Sequence, residues 1–129
     1  MDILSLLEVA QWVGKRIRPR KVLLAVEDNS EDALLLQEEL KIAKFGYVIT
    51  RSAEEALGVL RSRKFDAALI DMGLPMMNGV DLASKIRDNY PKTRVFFITG
   101  SSFINLEEST LFRVIRKPIT ANVLREMVI

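Results

Sequence analysis

The sequence predicts a doubly wound α/β fold on a five-stranded parallel sheet, preceded by an extra helix. Three observations predict it. Short, continuously apolar runs recur five times, as expected of strands covered on both faces. Stretches of helical periodicity alternate with them. Four of the runs end in a carboxylate, a hydroxyl or a lysine.

Residues 2–18 carry Ile3, Leu6, Leu7, Ala10, Val13 and Ile17 at helical spacing, the pattern of an amphipathic helix. Pro19 disfavours helix at Arg18 and closes it. Arg16, Arg18, Arg20 and Lys21 make a basic joint, so residues 1–20 stand apart as helix and joint, and residues 21–129 form the main domain. Residues 21–26 are the first strand. Residues 30–45 read as a helix with its stripe through Leu34, Leu35, Glu38 and Ile42, stopped at Gly46. Residues 47–51 are β-branched and aromatic, a second strand. Ser52-Ala53-Glu54-Glu55 is a capping box that opens a helix to about residue 63. Residues 65–71 are a third buried strand, followed by a loop with Gly73, Pro75 and Gly79. Residues 80–89 form a helix that ends before Pro91. Residues 94–99 and 111–116 are the last two strands, and residues 120–128 a short final helix.

A length of 129 residues fits one domain. Apolar residues at 49% supply a core, and charged residues at 28% supply a polar surface. The net charge of +2 is too small to argue for nucleic acid, and the basic joint carries no recognition motif, so no nucleic-acid partner is expected. Without cysteine there is no disulfide and no thiolate metal site. Without histidine the commonest general base and metal ligand is gone. Chemistry must run on carboxylates, lysine and hydroxyls. No apolar run approaches the ~20 residues that span a bilayer. Met1-Asp2 lacks the positive start of a secretory signal. A cytoplasmic location and no membrane partner are therefore expected.

In open parallel sheets, ligands sit beyond the carboxyl ends of the strands. The first strand delivers Glu27 and Asp28 to that edge, the third Asp71, the fourth Thr99 and the fifth Lys117. Clustered carboxylates resist ionising together. A hard divalent ion with oxygen ligands relieves this, and Mg²⁺ suits one or two carboxylates with waters and phosphate oxygens. Lys117 adds a point charge able to reach a phosphoryl oxygen. Phosphoryl transfer needs mainly positioning and charge neutralisation, which this set supplies. One carboxylate is then left to attack phosphorus.

Glu27-Asp28 resembles the acidic pair of response-regulator receiver domains. The run Leu69-Ile70-Asp71-Met72-Gly73-Leu74-Pro75-Met76-Met77-Asn78-Gly79 resembles their phosphoacceptor loop. Phe97-Ile98-Thr99-Gly100 resembles their switch hydroxyl, and Arg116-Lys117-Pro118 their lysine–proline motif. The match runs from about residue 21 to residue 129. It implies a flavodoxin-like receiver fold, with Asp71 as phosphoacceptor. It implies that Asp28 and Asp71 ligate Mg²⁺ with the Gly73 carbonyl, and that Glu27 acts through a bound water. Thr99 and Lys117 then contact the phosphoryl group, and the bond before Pro118 is cis. The implied phosphodonor is a sensor histidine kinase or histidine phosphotransfer protein, and a downstream protein reads the switch. The implied role is signalling, not turnover, beyond the domain's own phosphorylation and dephosphorylation. A stand-alone regulator or phosphorelay shuttle is favoured, since 129 residues leave no room for an output domain.

Three features depart from that pattern. Val114 stands where the family often carries an aromatic residue, with Phe112 as a substitute on the same strand face. The helix between the last two strands must fit within about residues 104–110. The last helix ends early, so residues 2–18 are expected to cover the apolar surface this leaves, in the same chain or across a homodimer. Such a dimer is expected through residues 2–18 or the C-terminal half. Three rival functions stand beside this reading. A haloacid-dehalogenase-like phosphatase requires a second acid two residues after the nucleophile, where Gly73 stands. A phosphorylation-independent pseudo-receiver has no need of the full acidic set. A flavodoxin-like nucleotide binder requires a glycine-rich phosphate loop that the first strand lacks.

Overall fold

A computed structural model of the chain describes residues 21–74, 79–100 and 113–128. In chain order the elements are β1 Val22–Val26, α1 Ser30–Ile42, β2 Gly46–Thr50, α2 Ala53–Leu60, β3 Ala67–Asp71, α3 Gly79–Asn89, β4 Arg94–Thr99, β5 Arg113–Arg116 and α4 Ala121–Met127. The expected elements at residues 2–18 and 104–110, and Phe112, lie outside the described residues.

The strands pair in parallel in the order β2-β1-β3-β4-β5. This is the doubly wound arrangement expected. Chain order reverses at β1, which places the switch point between β1 and β3. Strand parity explains the two cores, since successive side chains alternate faces. Leu23, Ala25, Leu69, Phe96 and Ile98 point to one face and pack with Leu36 and Leu40 of α1 and Leu124 of α4. Leu24, Val26, Ile70 and Phe97 point to the other and pack with Ala56 of α2 and Leu82 and Ile86 of α3. Continuous apolar sequence was required because neither face meets water. At ~25 cal/mol per Å² of buried apolar surface, these two layers supply the main favourable term.

The helix ends follow the chemistry of their caps. Asn29, Ser52 and Thr120 are N-caps whose side chains accept from Asp32 N, Glu55 N and Val123 N. Glu55 Oε2 accepts from Arg51 N at 3.4 Å, one residue beyond the Ser52 N–H that an ideal capping box would use.

One expectation is corrected. The stripe through Leu34, Leu35, Glu38 and Ile42 does not face the sheet: Leu34, Leu35 and Ile42 are 64%, 65% and 57% exposed. Ala33, Leu36, Leu40 and Ala43 are the buried set. The helix carries two apolar stripes, and the sheet takes the one with the smaller residues, where Ala33 and Ala43 allow close approach.

Candidate functional site

The acidic site lies at the switch point. Glu27 directly follows β1, and its backbone N–H donates to Thr50 O at 2.9 Å, so strand pairing carries it into the interior. Its side chain is 1% exposed. Oε1 accepts from Asn29 N at 3.1 Å. Oε2 lies 2.9 Å from Lys117 Nζ, a buried ion pair. Burial first, and then the neighbouring Asp71 carboxyl, push Glu27 up to about 7, against the opposing pull of Lys117. Asp28 is exposed, and its carbonyl oxygen accepts from Arg51 Nη2 at 2.7 Å. The same Nη2 donates to Ser30 Oγ at 2.9 Å, so Arg51 ties the end of β2 to the β1–α1 loop.

Asp71 ends β3, beside Ile98 of β4. Its Oδ1 accepts from Gly73 N at 2.9 Å, a short Asx-type turn that fixes the carboxylate. Oδ2 lies 3.6 Å from Lys117 Nζ. Thr99, buried at the end of β4, pairs with Arg116, and its carbonyl oxygen accepts from Lys117 N at 2.8 Å. That bond sets the root of the lysine side chain. The Lys117-Pro118 peptide is cis, as the resemblance implied.

Lys117 is the cation of the cluster. Besides Glu27 and Asp71, its Nζ meets Asp32 Oδ2 at 2.7 Å. Burial works against its charge, but Asp32, Glu27 and Asp71 outweigh this and hold the ammonium above the usual lysine range. Asp32 is a site residue that the sequence reading missed. An acid in a helix's first turn satisfies the dipole there and gives no further signal. Arg51 was missed for a similar reason, as an ordinary strand-end cation.

Of the expected site residues, the fold brings Glu27, Asp28, Asp71 and Lys117 to one place, with Thr99 one register step away and Gly73 bonded to Asp71. Glu27, Asp28 and Asp71 each offer an oxygen within 4.8 Å of the others. Oxygens about 2.1 Å from a magnesium ion lie at most ~4.2 Å apart, so a small contraction, or one water in place of a carboxylate, suffices. The buried Glu27 carboxylate accepts from Asn29 N and pairs with Lys117, and its remaining lone pairs are the ones such an ion or its water would meet. The donor set is all oxygen and carries formal negative charge, which suits a hard cation.

Fold and site define a class: an open parallel α/β domain that presents clustered acids and a lysine at its switch point. Residues 23–129 match the family model of the response regulator receiver domain, and the chain belongs to that family. It is 32% identical over 113 residues to response regulator protein PilR of Pseudomonas aeruginosa, covering 84% of this chain and 25% of PilR. It is 34% identical over 113 residues to sensor protein TorS of Escherichia coli, covering 81% of this chain and 12% of TorS. The chain thus spans a quarter or less of these relatives. Response regulator TrrA of Thermotoga maritima, solved in complex with Mg(2+)-BeF, superposes with a TM-score of 0.75 at 25% identity, over 84% of this chain and 96% of TrrA. TrrA has also been solved in complex with histidine kinase ThkA, with a TM-score of 0.73 at 25% identity over 84% of this chain and 95% of that one.

Proposed function

We propose that this domain is a phosphorylation switch that takes a phosphoryl group onto Asp71 with Mg²⁺ bound at Glu27, Asp28, Asp71 and the Gly73 carbonyl. The observation that carries the reading is the meeting of three strand-end carboxylates with Lys117 at the switch point. The Asp71 carboxylate oxygen attacks phosphorus; a P–O bond forms as the P–N bond of a donor phosphohistidine breaks, and the electron pair leaves with the imidazole. These 129 residues hold no histidine, so the donor phosphohistidine lies outside this domain. The Mg²⁺–BeF complex and the kinase complex of TrrA support the ion and the donor class, a histidine kinase or phosphotransfer protein. Bound Mg²⁺ neutralises charge on the transferred group.

The chain's own groups divide the remaining work. Gly73 N holds Asp71 Oδ1 and leaves Oδ2 turned toward Lys117. Lys117 meets the new phosphoryl charge, and Thr99 supplies a hydroxyl to a phosphoryl oxygen. The gain in negative charge then changes contacts with a downstream protein. The domain performs no turnover on other substrates, and the cytoplasm is the compartment that fits a kinase-fed switch. No finding favours a phosphatase.

The test is incubation with Mg²⁺ and acetyl phosphate, read by intact mass for wild type and Asp71→Ala. The expected result is a Mg²⁺-dependent phosphoryl adduct on wild type and none on Asp71→Ala. An unmodified wild type overturns the proposal in favour of a pseudo-receiver, and equal modification of the variant overturns Asp71 as the acceptor.

A further inference from the structure

Arg51 directly follows β2, and its side chain crosses to the loop that carries Asp28. One nitrogen, Nη2, donates to Asp28 O at 2.7 Å and to Ser30 Oγ at 2.9 Å. The root of the side chain is set on both sides. Thr50 O, one residue back, accepts from Glu27 N at 2.9 Å, and Arg51 N donates to Glu55 Oε2 at 3.4 Å. The end of β2 and the first turn of α2 are thus the post from which the guanidinium reaches the loop.

The neighbours of Asp28 have anchors of their own. Glu27 N is held by β2. Asn29 N donates to Glu27 Oε1 at 3.1 Å, and Asn29 Oδ1 accepts from Asp32 N at 2.9 Å. Asp28 shares none of these. The bond from Arg51 is the one hydrogen bond it makes among the described residues. An exposed loop residue without that bond would sample many conformations, each aiming the carboxylate differently. The choice of acceptor matters as much. Arg51 takes the Asp28 carbonyl oxygen and makes no ion pair with its carboxylate among the described residues. A guanidinium on the carboxylate would occupy the oxygens a metal needs. On the carbonyl it fixes the backbone and leaves the carboxylate to meet those of Glu27 and Asp71.

We propose that Arg51 is a positioning residue for Mg²⁺, holding the Asp28 backbone so that the carboxylate stays beside Glu27 and Asp71. The proposal rests on Asp28 as a ligand of the ion. Arg51 acts on the ion in two ways of opposite sign. Its charge repels a divalent cation. Its hold on the loop lowers the cost of ordering Asp28 when the ion binds. The second effect outweighs the first, because the guanidinium is exposed and screened while the tether acts through a direct bond.

The test is titration of the full chain with Mg²⁺ alone, followed by amide chemical shifts, for wild type, Arg51→Met and Arg51→Lys. Amide exchange at residues 28–30 is measured without the ion. Methionine removes the charge and the donors and keeps an unbranched chain. Arg51→Met should bind Mg²⁺ about tenfold more weakly, the scale expected when the partner that orients a metal ligand is lost. Exchange at residues 28–30 should quicken while the thermal melt stays unchanged. Arg51→Lys keeps the charge and a donor for the Asp28 carbonyl, and should recover at least half of the loss. Equal or tighter binding by Arg51→Met overturns the proposal and leaves Arg51 as a charge near the site. A lysine variant as weak as the methionine one overturns it too, as does weakening that comes with a lowered melt. A wild type that takes up no Mg²⁺ has a different signature: its failure removes the metal site itself, and the role of Arg51 with it.

Discussion

The two ends of β3 both carry an aspartate, and they do opposite things. Asp66, just ahead of the strand, accepts Val22 N at 2.8 Å through Oδ2. Its backbone joins the same seam, donating to Val22 O at 2.8 Å and accepting from Arg94 N at 3.0 Å. Asp71, at the far end, shares Lys117 with Glu27 and Asp32. Both carboxylates accept a backbone N–H, but the donor to Asp66 lies 44 positions away on β1, so Asp66 becomes a structural pin between strands. The other is placed among like charges and is left available for chemistry. Residue type does not separate them; the reach of the donor and the competing acids around each do.

Four experiments break or sharpen that contrast. The largest effect belongs to the strand between the two ends. Leu69→Ala removes a fully buried side chain and should cost ~2–5 kcal/mol in urea unfolding. A loss under ~1 kcal/mol is incompatible with β3 as the shared support.

Glu27→Gln tests the crowded end. Glu27 is raised from 4.5 to about 7, so between these values the folded chain keeps a proton that the unfolded chain has released. Wild-type stability therefore falls as pH climbs through this window, and the full cost is present above it. Without Mg²⁺, the glutamine variant should lose that slope and gain on the order of 1–3 kcal/mol at pH 8. Superimposable stability curves for the two proteins from pH 4.5 to 8 contradict the assignment.

The aspartates themselves give the third comparison. Asp66→Ala leaves the Val22 N–H without its acceptor and should cost about 1–2 kcal/mol while acetyl phosphate still labels the chain. Asp71→Ala relieves repulsion and should be no less stable than wild type by the same unfolding assay. If Asp71→Ala proves the more damaging of the two, the contrast is wrong. The smallest effect is expected at Asp32→Asn. Freeing Lys117 from its 2.7 Å partner should tighten beryllofluoride binding in Mg²⁺ by a few-fold, on the order of 1 kcal/mol or less. Weaker binding means that Asp32 orients the lysine productively instead of competing for it.

Strand identity and the acidic edge were legible because buried parallel strands leave unbroken apolar runs, and each functional side chain stands at the end of one. Asp28, Asp71, Thr99 and Lys117 needed only the order of elements to be placed. Rotation of α1 was not legible, because its exposed leucines are as apolar as its buried ones and only packing chooses between stripes. Asp32 and Arg51 escaped notice because their roles depend on which distant residue arrives opposite them. Asp32 and Lys117 are eighty-five positions apart in the chain. No local pattern reports such a meeting.

Gly79, the first residue of α3, sits so near Asp71 that an added methyl carbon would lie 3.0 Å from the Asp71 carbonyl oxygen, 3.1 Å from Ile70 Cγ2 and 3.3 Å from Phe97 Cε1. There is no slack at that hinge of surfaces. A displacement of the Asp71 peptide has no compressible gap to vanish into, because close-packed interiors pass strain on. A side chain at position 79 would push that peptide and the first turn of α3 apart, so the eleven-residue helix, ~16 Å long, can lie this close to the acidic strand end only while glycine stands there.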